Sequence, residues 1–115
     1  MSDTHQTGVK THDTPDHPLF TPLKVGNVLL QHRIVMAPMT RYRADDDHTP
    51  TDMMTLYYSQ RASTPGTLLI TEGTFISPRA GGNDNAPGIW NKEQIIAWKK
   101  VISHMCCYNV LVRLK

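Results

Sequence analysis

Cysteine is nearly missing from this chain: there are two, side by side at Cys106 and Cys107. Neighbouring thiols close no useful loop and no further cysteine completes a zinc pattern, so reduced thiols are the better reading. Long apolar runs are missing as well. No stretch approaches the roughly 20 apolar residues that a membrane span needs, and Met1 to Pro18 has no apolar core of the kind a secretory signal carries. The expected compartment is cytoplasmic, with no membrane partner. Charge of one sign is not in excess either: 12 Lys and Arg stand against 10 Asp and Glu, a formal net charge of +2. The basic residues are scattered, which argues against nucleic acid as a partner. What remains is a chain of 115 residues, 39% of them hydrophobic, ordinary for one globular domain and too short for two.

Residues 1–18 are polar, hold almost nothing to bury and read as a disordered arm. The irregular spacing of His5, His12 and His17 in that arm supplies no ligand geometry, so solvated side chains are expected. From Leu19 the pattern changes. Gly26-Asn27 separates two short apolar runs, the signal of a two-residue hairpin. "RIVMA", Arg33 to Ala37, is a nearly continuous apolar run, which predicts a strand covered on both faces, ended by Pro38 for want of an N–H. Thr49-Pro50-Thr51-Asp52 predicts a helix start with Thr49 as N-cap and Pro50 at the first helical position, with Met53, Leu56, Tyr57 and Gln60 sharing a face. That helix should stop near Ser63, before Pro65-Gly66 and a second buried strand, "TLLIT", Thr67 to Thr71. Glu72 to Trp90 is rich in Gly, Pro and Asn. Its embedded Phe75, Ile76, Ile89 and Trp90 favour an ordered, functional loop. Asn91 with Gln94 forms an amide version of a capping box, opening a helix with Ile95, Trp98, Ile102 and Met105 at helical spacing. A third strand is expected at about Tyr108 to Val112.

Short apolar strands alternating with helices indicate an α/β architecture with a parallel sheet, and in such sheets ligands sit at the C-terminal ends of the strands. Here those ends are Pro38-Met39-Thr40 and Glu72-Gly73. A flat heteroaromatic ring would use all of them: a thioether packs on its face, a hydroxyl meets its carbonyl edge, and a glycine permits close backbone approach. On the residues alone the alternative is that Thr40 caps a turn and Gly73 bends one.

Three blocks, "HRIVMAPMTRYRADDDHTPTDMMTLYYSQRAS", "LLITEG" and "TFISPRAGGNDNAPGIWNKEQIIAWKKVISHM", together resemble the N-terminal part of the Old Yellow Enzyme family, in its fungal branch, over residues 19–105. The resemblance implies a partial (β/α)8 barrel, an N-terminal hairpin followed by the first two to three β/α units. It implies FMN as cofactor, NAD(P)H as reductant, and a small-molecule enone or enal as substrate, with a place in fungal secondary metabolism. Carried over by position, it sets Pro38, Met39, Thr40 and Gly73 against the flavin, with the Thr40 hydroxyl near the C4 carbonyl. Residues 106–115 depart from the family pattern: the expected Gln-Leu-Trp strand and the C-cap glycine are replaced by "CCYNVLVRLK". A barrel of this type takes about 250 residues, and the family's substrate-anchoring and proton-donating residues lie downstream. No catalytic residue is therefore assigned, and the chain is expected to be inactive alone. The alternative is a truncated non-catalytic paralogue that associates with another barrel chain or does nothing.

Three tempting groups are set aside. Asp45-Asp46-Asp47-His48 looks like a metal cluster, but consecutive side chains point apart, and a solvated loop is expected with no metal. Tyr57 and Tyr58 are expected in core and interface rather than as proton donors. For Arg41 and Arg43 a structural ion pair competes with phosphate binding.

Overall fold

The computed structural model describes residues 17–106 and 111–113. The expected polar arm lies outside the described residues except for His17 and Pro18, as do residues 107–110. His17 accepts a hydrogen bond from the Leu19 N–H at 3.3 Å through Nδ1, and so opens a short 3-10 turn, Pro18–Phe20.

The hairpin forms as its turn residues require. β1 (Leu23–Val25) pairs antiparallel with β2 (Val28–Leu30), and Gly26 between them has φ +59°, a left-handed value that glycine adopts without penalty. The hairpin is tied to the body from below: the Gln31 N–H donates to the Gly66 carbonyl, and His32 Nε2 lies 2.9 Å from the Thr67 hydroxyl.

β3 (Val35–Met36), β4 (Leu68–Ile70) and β5 (Leu111–Arg113) form one parallel sheet in that order. α1 (Asp52–Arg61) connects the first two and α2 (Lys92–Cys106) precedes the third. Parallel neighbours need such crossovers, because no tight turn can join two strands running the same way. The core lies between the helices and the sheet: Met54, Tyr57 and Tyr58 of α1, Leu69 of β4, and Trp98, Val101 and Met105 of α2, all buried. The Tyr58 and Trp98 rings meet with centroids 6.2 Å apart. No helix among the described residues is long and apolar enough to cross a membrane.

α1 departs from the sequence expectation at its start and in its face. It begins at Asp52, with Thr51 rather than Thr49 as N-cap. The reason is a closed turn just upstream. Asp45 Oδ1 accepts from the Asp47 and Thr49 N–H groups, and Ala44 and Pro50 form an antiparallel bridge that buries Pro50. Helical geometry becomes free only beyond that bridge. Thr51 turns its hydroxyl to the Arg43 carbonyl instead of capping the helix. As for the face, Met54, Thr55, Tyr57 and Tyr58 are buried, whereas Met53 and Leu56 are about three-fifths exposed at 61% and 60%. The apolar side chains of this helix span a wide arc, and the part of it that turns inward is the one that carries Tyr58, whose ring meets Trp98.

α2 follows its capping box. The Gln94 N–H donates to Asn91 Oδ1 at 2.8 Å, while Gln94 Oε1 accepts from the Trp90 and Asn91 N–H groups. Gln94 is fully buried, and its Nε2 reaches across to the Asp47 carbonyl.

Candidate functional site

The C-terminal ends of β3 and β4 lie side by side, as parallel pairing requires, so the segments 37–41 and 71–74 form one rim. An ideal Cβ on Gly73 would lie 3.9 Å from the Thr40 hydroxyl oxygen and would meet nothing nearer. Thr40 and Gly73 line a common depression of about 350 Å³ with Thr74, Phe75, Asn83 and Ala86. The Thr40 hydroxyl makes no hydrogen bond to a described residue, so it is available to a ligand. Pro38 is half-buried and Met39 is exposed.

The long loop closes the far side of this depression and is ordered by its own contacts. Phe75 bridges to Gly88 in parallel fashion, with the Phe75 N–H donating to the Pro87 carbonyl and the Ile89 N–H to the Phe75 carbonyl. Asn85, at φ +59°, exchanges hydrogen bonds with Ala44: its Nδ2 donates to the Ala44 carbonyl and its own carbonyl accepts the Ala44 N–H. His48 Nδ1 sits 2.7 Å from the Ala86 carbonyl, and the ring meets Phe75 and Trp90 edge to face. The Asp45–His48 stretch is thus a clamp on the loop rather than a merely solvated segment. Among the described residues no group of three metal-ligating side chains comes together.

Beneath the rim is a group that the motifs did not single out. Glu72 is fully buried. Its Oε2 accepts from the Arg41 N–H at 3.0 Å, and its Oε1 accepts from the Tyr58 hydroxyl at 3.2 Å. The Tyr58 oxygen in turn accepts the Glu72 N–H at 2.9 Å. Burial pushes the Glu72 carboxyl above the ordinary carboxylate range, against the pull of the Arg41 amide, the Tyr58 hydroxyl and the Arg43 charge. Burial likewise drives the Tyr58 hydroxyl up, so it stays protonated and donates. A sequence signal existed: a lone acidic residue directly after a buried apolar strand must be either exposed or paired. Tyr58 therefore belongs both to the core, as expected, and to this network.

Arg41 and Arg43 make no ion pair within 4 Å among the described residues. Their guanidinium carbons lie 5.8 and 4.7 Å from the Tyr57 ring centroid, with Arg61 closer at 3.5 Å. Of the two alternatives weighed for these arginines, the ion pair does not form among the described residues, and both guanidiniums lie over one buried ring instead.

The Glu72 geometry carries a pH prediction. A carboxyl whose folded pKa is raised binds more protons folded than unfolded, so its contribution to stability falls as pH climbs from the ordinary value of 4.5 towards the raised one, then levels off. Glu72→Gln removes that dependence. In urea titrations at several pH values, the stability of the variant relative to the parent should improve as pH rises through this window. A difference constant across it would contradict the raised pKa.

The profile of the NADH:flavin oxidoreductase / NADH oxidase family matches residues 18–114. Chanoclavine-I aldehyde reductase fgaOx3 of Penicillium roqueforti is 68% identical over 83 residues, which are 72% of this chain and 22% of that protein. The probable inactive reductase easA of Epichloe festucae var. lolii is 58% identical over 84 residues, 73% of this chain and 22% of that one. Among solved structures, Old Yellow Enzyme from Pichia sp. AKU4542 superposes with a TM-score of 0.81 at 42% identity, covering 84% of this chain and 25% of the enzyme. The chain thus spans about a quarter of the length of these relatives. It belongs to the NADH:flavin oxidoreductase / NADH oxidase family, as a partial α/β piece of the Old Yellow Enzyme barrel with no closed barrel among its described residues.

Proposed function

We propose that this chain carries the first part of the FMN site of an Old Yellow Enzyme-type oxidoreductase, with Pro38, Met39, Thr40 and Gly73 facing the flavin. The observation that carries the reading is the convergence of the Thr40 hydroxyl and the Gly73 backbone on one open depression at the strand ends. The residues fit a flavin edge. Gly73 leaves the space over its backbone empty, the Thr40 hydroxyl can donate to a ring carbonyl, and the exposed Met39 thioether can lie on an aromatic face. Bound FMN supplies a hydride relay from NAD(P)H to an activated alkene, here an enone or enal. The chain's own residues hold and orient the ring edge, and the groups that polarise and protonate the alkene come from residues outside this set. The fungal relatives support a place in secondary metabolism.

FMN titration of the 115-residue chain, followed by flavin fluorescence and visible absorbance, tests the reading. Saturable binding is expected. Thr40→Ala should weaken it by roughly fivefold to tenfold, the worth of one hydrogen bond. Gly73→Val should abolish it with little change in melting temperature, because its side chain enters the open rim rather than the core. No saturation with the parent chain would mean that these residues do not make a flavin site in this chain.

A second reading is a non-catalytic family member that associates with another barrel chain. One of the relatives is itself described as a probable inactive reductase, and β3 is an edge strand with Ile34 and Val35 exposed. Co-purification with a full-length reductase of the family would favour it; recovery as a free FMN-binding monomer would count against it.

A further inference from the structure

The segment that carries Thr40 is short of local support. β3 contributes only two paired residues before the chain leaves the sheet, and two residues beyond Thr40 the backbone takes a left-handed turn at Tyr42, φ +52°. A non-glycine residue in that region costs on the order of 1 kcal/mol or more and persists only where its surroundings hold it. Tyr42 is itself exposed, so the hold must come from its neighbours. On the side of Arg43 the Thr51 hydroxyl donates to the Arg43 carbonyl, and on the side of Thr40 the hold is Glu72. The Arg41 N–H that donates to Glu72 belongs to the peptide joining Thr40 to Arg41, so the carboxylate restrains the plane of that peptide and with it the backbone from which the Thr40 side chain departs. The carboxylate is in turn held by Tyr58, which α1 anchors against Trp98. Gly73 follows Glu72 directly, so one buried side chain aligns both halves of the rim.

We propose that Glu72, held by Tyr58, is the positioning residue that aims the Thr40 hydroxyl at the bound ring, by fixing the Thr40–Arg41 peptide against the end of β4. This rests on the reading that Thr40 and Gly73 face a flavin. A merely structural carboxylate would stabilise the fold but would not act through Thr40, and that difference can be measured.

Two measurements on the whole chain separate the possibilities. The first needs no flavin: hydrogen exchange of the Arg41 amide, read by NMR. It should be slow in the parent, on the order of tenfold faster in Glu72→Ala, and nearly parental in Glu72→Gln, whose carbonyl can still accept. The second is FMN affinity with the flavin visible band as signature. Glu72→Ala should weaken binding on the order of tenfold and shift the band, Glu72→Gln should restore most of both, and Glu72→Ala should add little when Thr40 is already alanine. If Glu72→Ala does not fold, Tyr58→Phe takes its place, since it leaves the carboxylate but removes its holder. Equal losses of affinity from the Glu72 change with and without the Thr40 hydroxyl would overturn the positioning role. So would unchanged FMN affinity despite fast Arg41 exchange, while leaving the flavin reading intact. Failure of the parent chain to bind FMN at all would overturn the flavin reading, and the proposal with it, whatever the exchange rates.

Discussion

Trp98→Ala should leave the chain largely unfolded at room temperature. Trp98 is 1% exposed and sits where α2 meets Tyr58, in the centre of the cluster that joins both helices to β4. Truncating a buried tryptophan to alanine costs about 3–5 kcal/mol in lost burial and residual cavity. There is a second loss. The indole Nε1–H donates to the Gly88 carbonyl at 3.1 Å, and that carbonyl lies in the buried floor of the long loop. An unsatisfied buried acceptor adds about 1–3 kcal/mol. Single domains are stable by only about 5–15 kcal/mol, and a chain with open sheet edges belongs at the low end. Urea unfolding followed by far-UV circular dichroism would measure this, with Trp98→Phe as comparison. The phenylalanine keeps much of the ring contact and loses the hydrogen bond, so it should retain a cooperative transition at lower urea. A loss below about 1 kcal/mol for the alanine would mean that the helices do not pack as described.

Much of the scaffold was legible because its signals are local. The Gly26-Asn27 turn, the apolar run of β4 and the Asn91/Gln94 cap each rest on residues within a few positions of one another, and each lies where its chemistry places it. The run at β3 also pairs as a parallel strand, but it is not covered on both faces as expected: it lies at the sheet edge with Ile34 and Val35 exposed, because an apolar run does not tell a central strand from an edge one. β5 at Leu111–Arg113 overlaps the expected third strand only at its end, and residues 107–110 lie outside the described set. The start of α1 was misread because Pro50 suits a first helical turn and a bridge equally well. The Asp45 turn decides between them, and it depends on a hydrogen-bond pattern rather than a residue preference.

The candidate site was legible in its rim and not beneath it. Thr40 and Gly73 stand at strand ends, where the parallel-sheet rule directs attention, and the structure brings them to one depression. Glu72 and Tyr58 were not paired in advance because 14 positions separate them in the chain and only the register of α1 on β4 makes them neighbours. The arginines illustrate the same limit. Charge alone suggests a carboxylate partner for Arg41 and Arg43, whereas packing supplies the face of Tyr57.

Gly88→Ala is the second large effect, and it tests whether the loop around the rim is built as firmly as its contacts indicate. A Cβ there would lie 2.2 Å from Trp90 Cζ3, 2.7 Å from Cε3 and 2.8 Å from Gln94 Nε2. The backbone cannot retreat, because the Gly88 N–H donates to the His48 carbonyl at 2.7 Å and its carbonyl accepts from Trp98. The methyl must therefore displace the Trp90 ring from its place against His48, or push away the side chain that caps α2. Overpacking of this kind costs about 1–3 kcal/mol and loss of a helix cap about another 1 kcal/mol. The midpoint of urea unfolding should fall accordingly, with a change in the near-ultraviolet signal of the tryptophans. Gly82→Ala in the same loop is the internal comparison: its Cβ would meet nothing within 4 Å and its φ is not positive, so stability should move by less than about 0.5 kcal/mol. Because the Gly88 bridge holds Phe75, which lines the rim beside Thr40, Gly88→Ala should also weaken FMN binding where Gly82→Ala does not. Equal behaviour of the two variants would mean that the loop is not packed on His48 and Trp90, and that the far wall of the depression is not fixed.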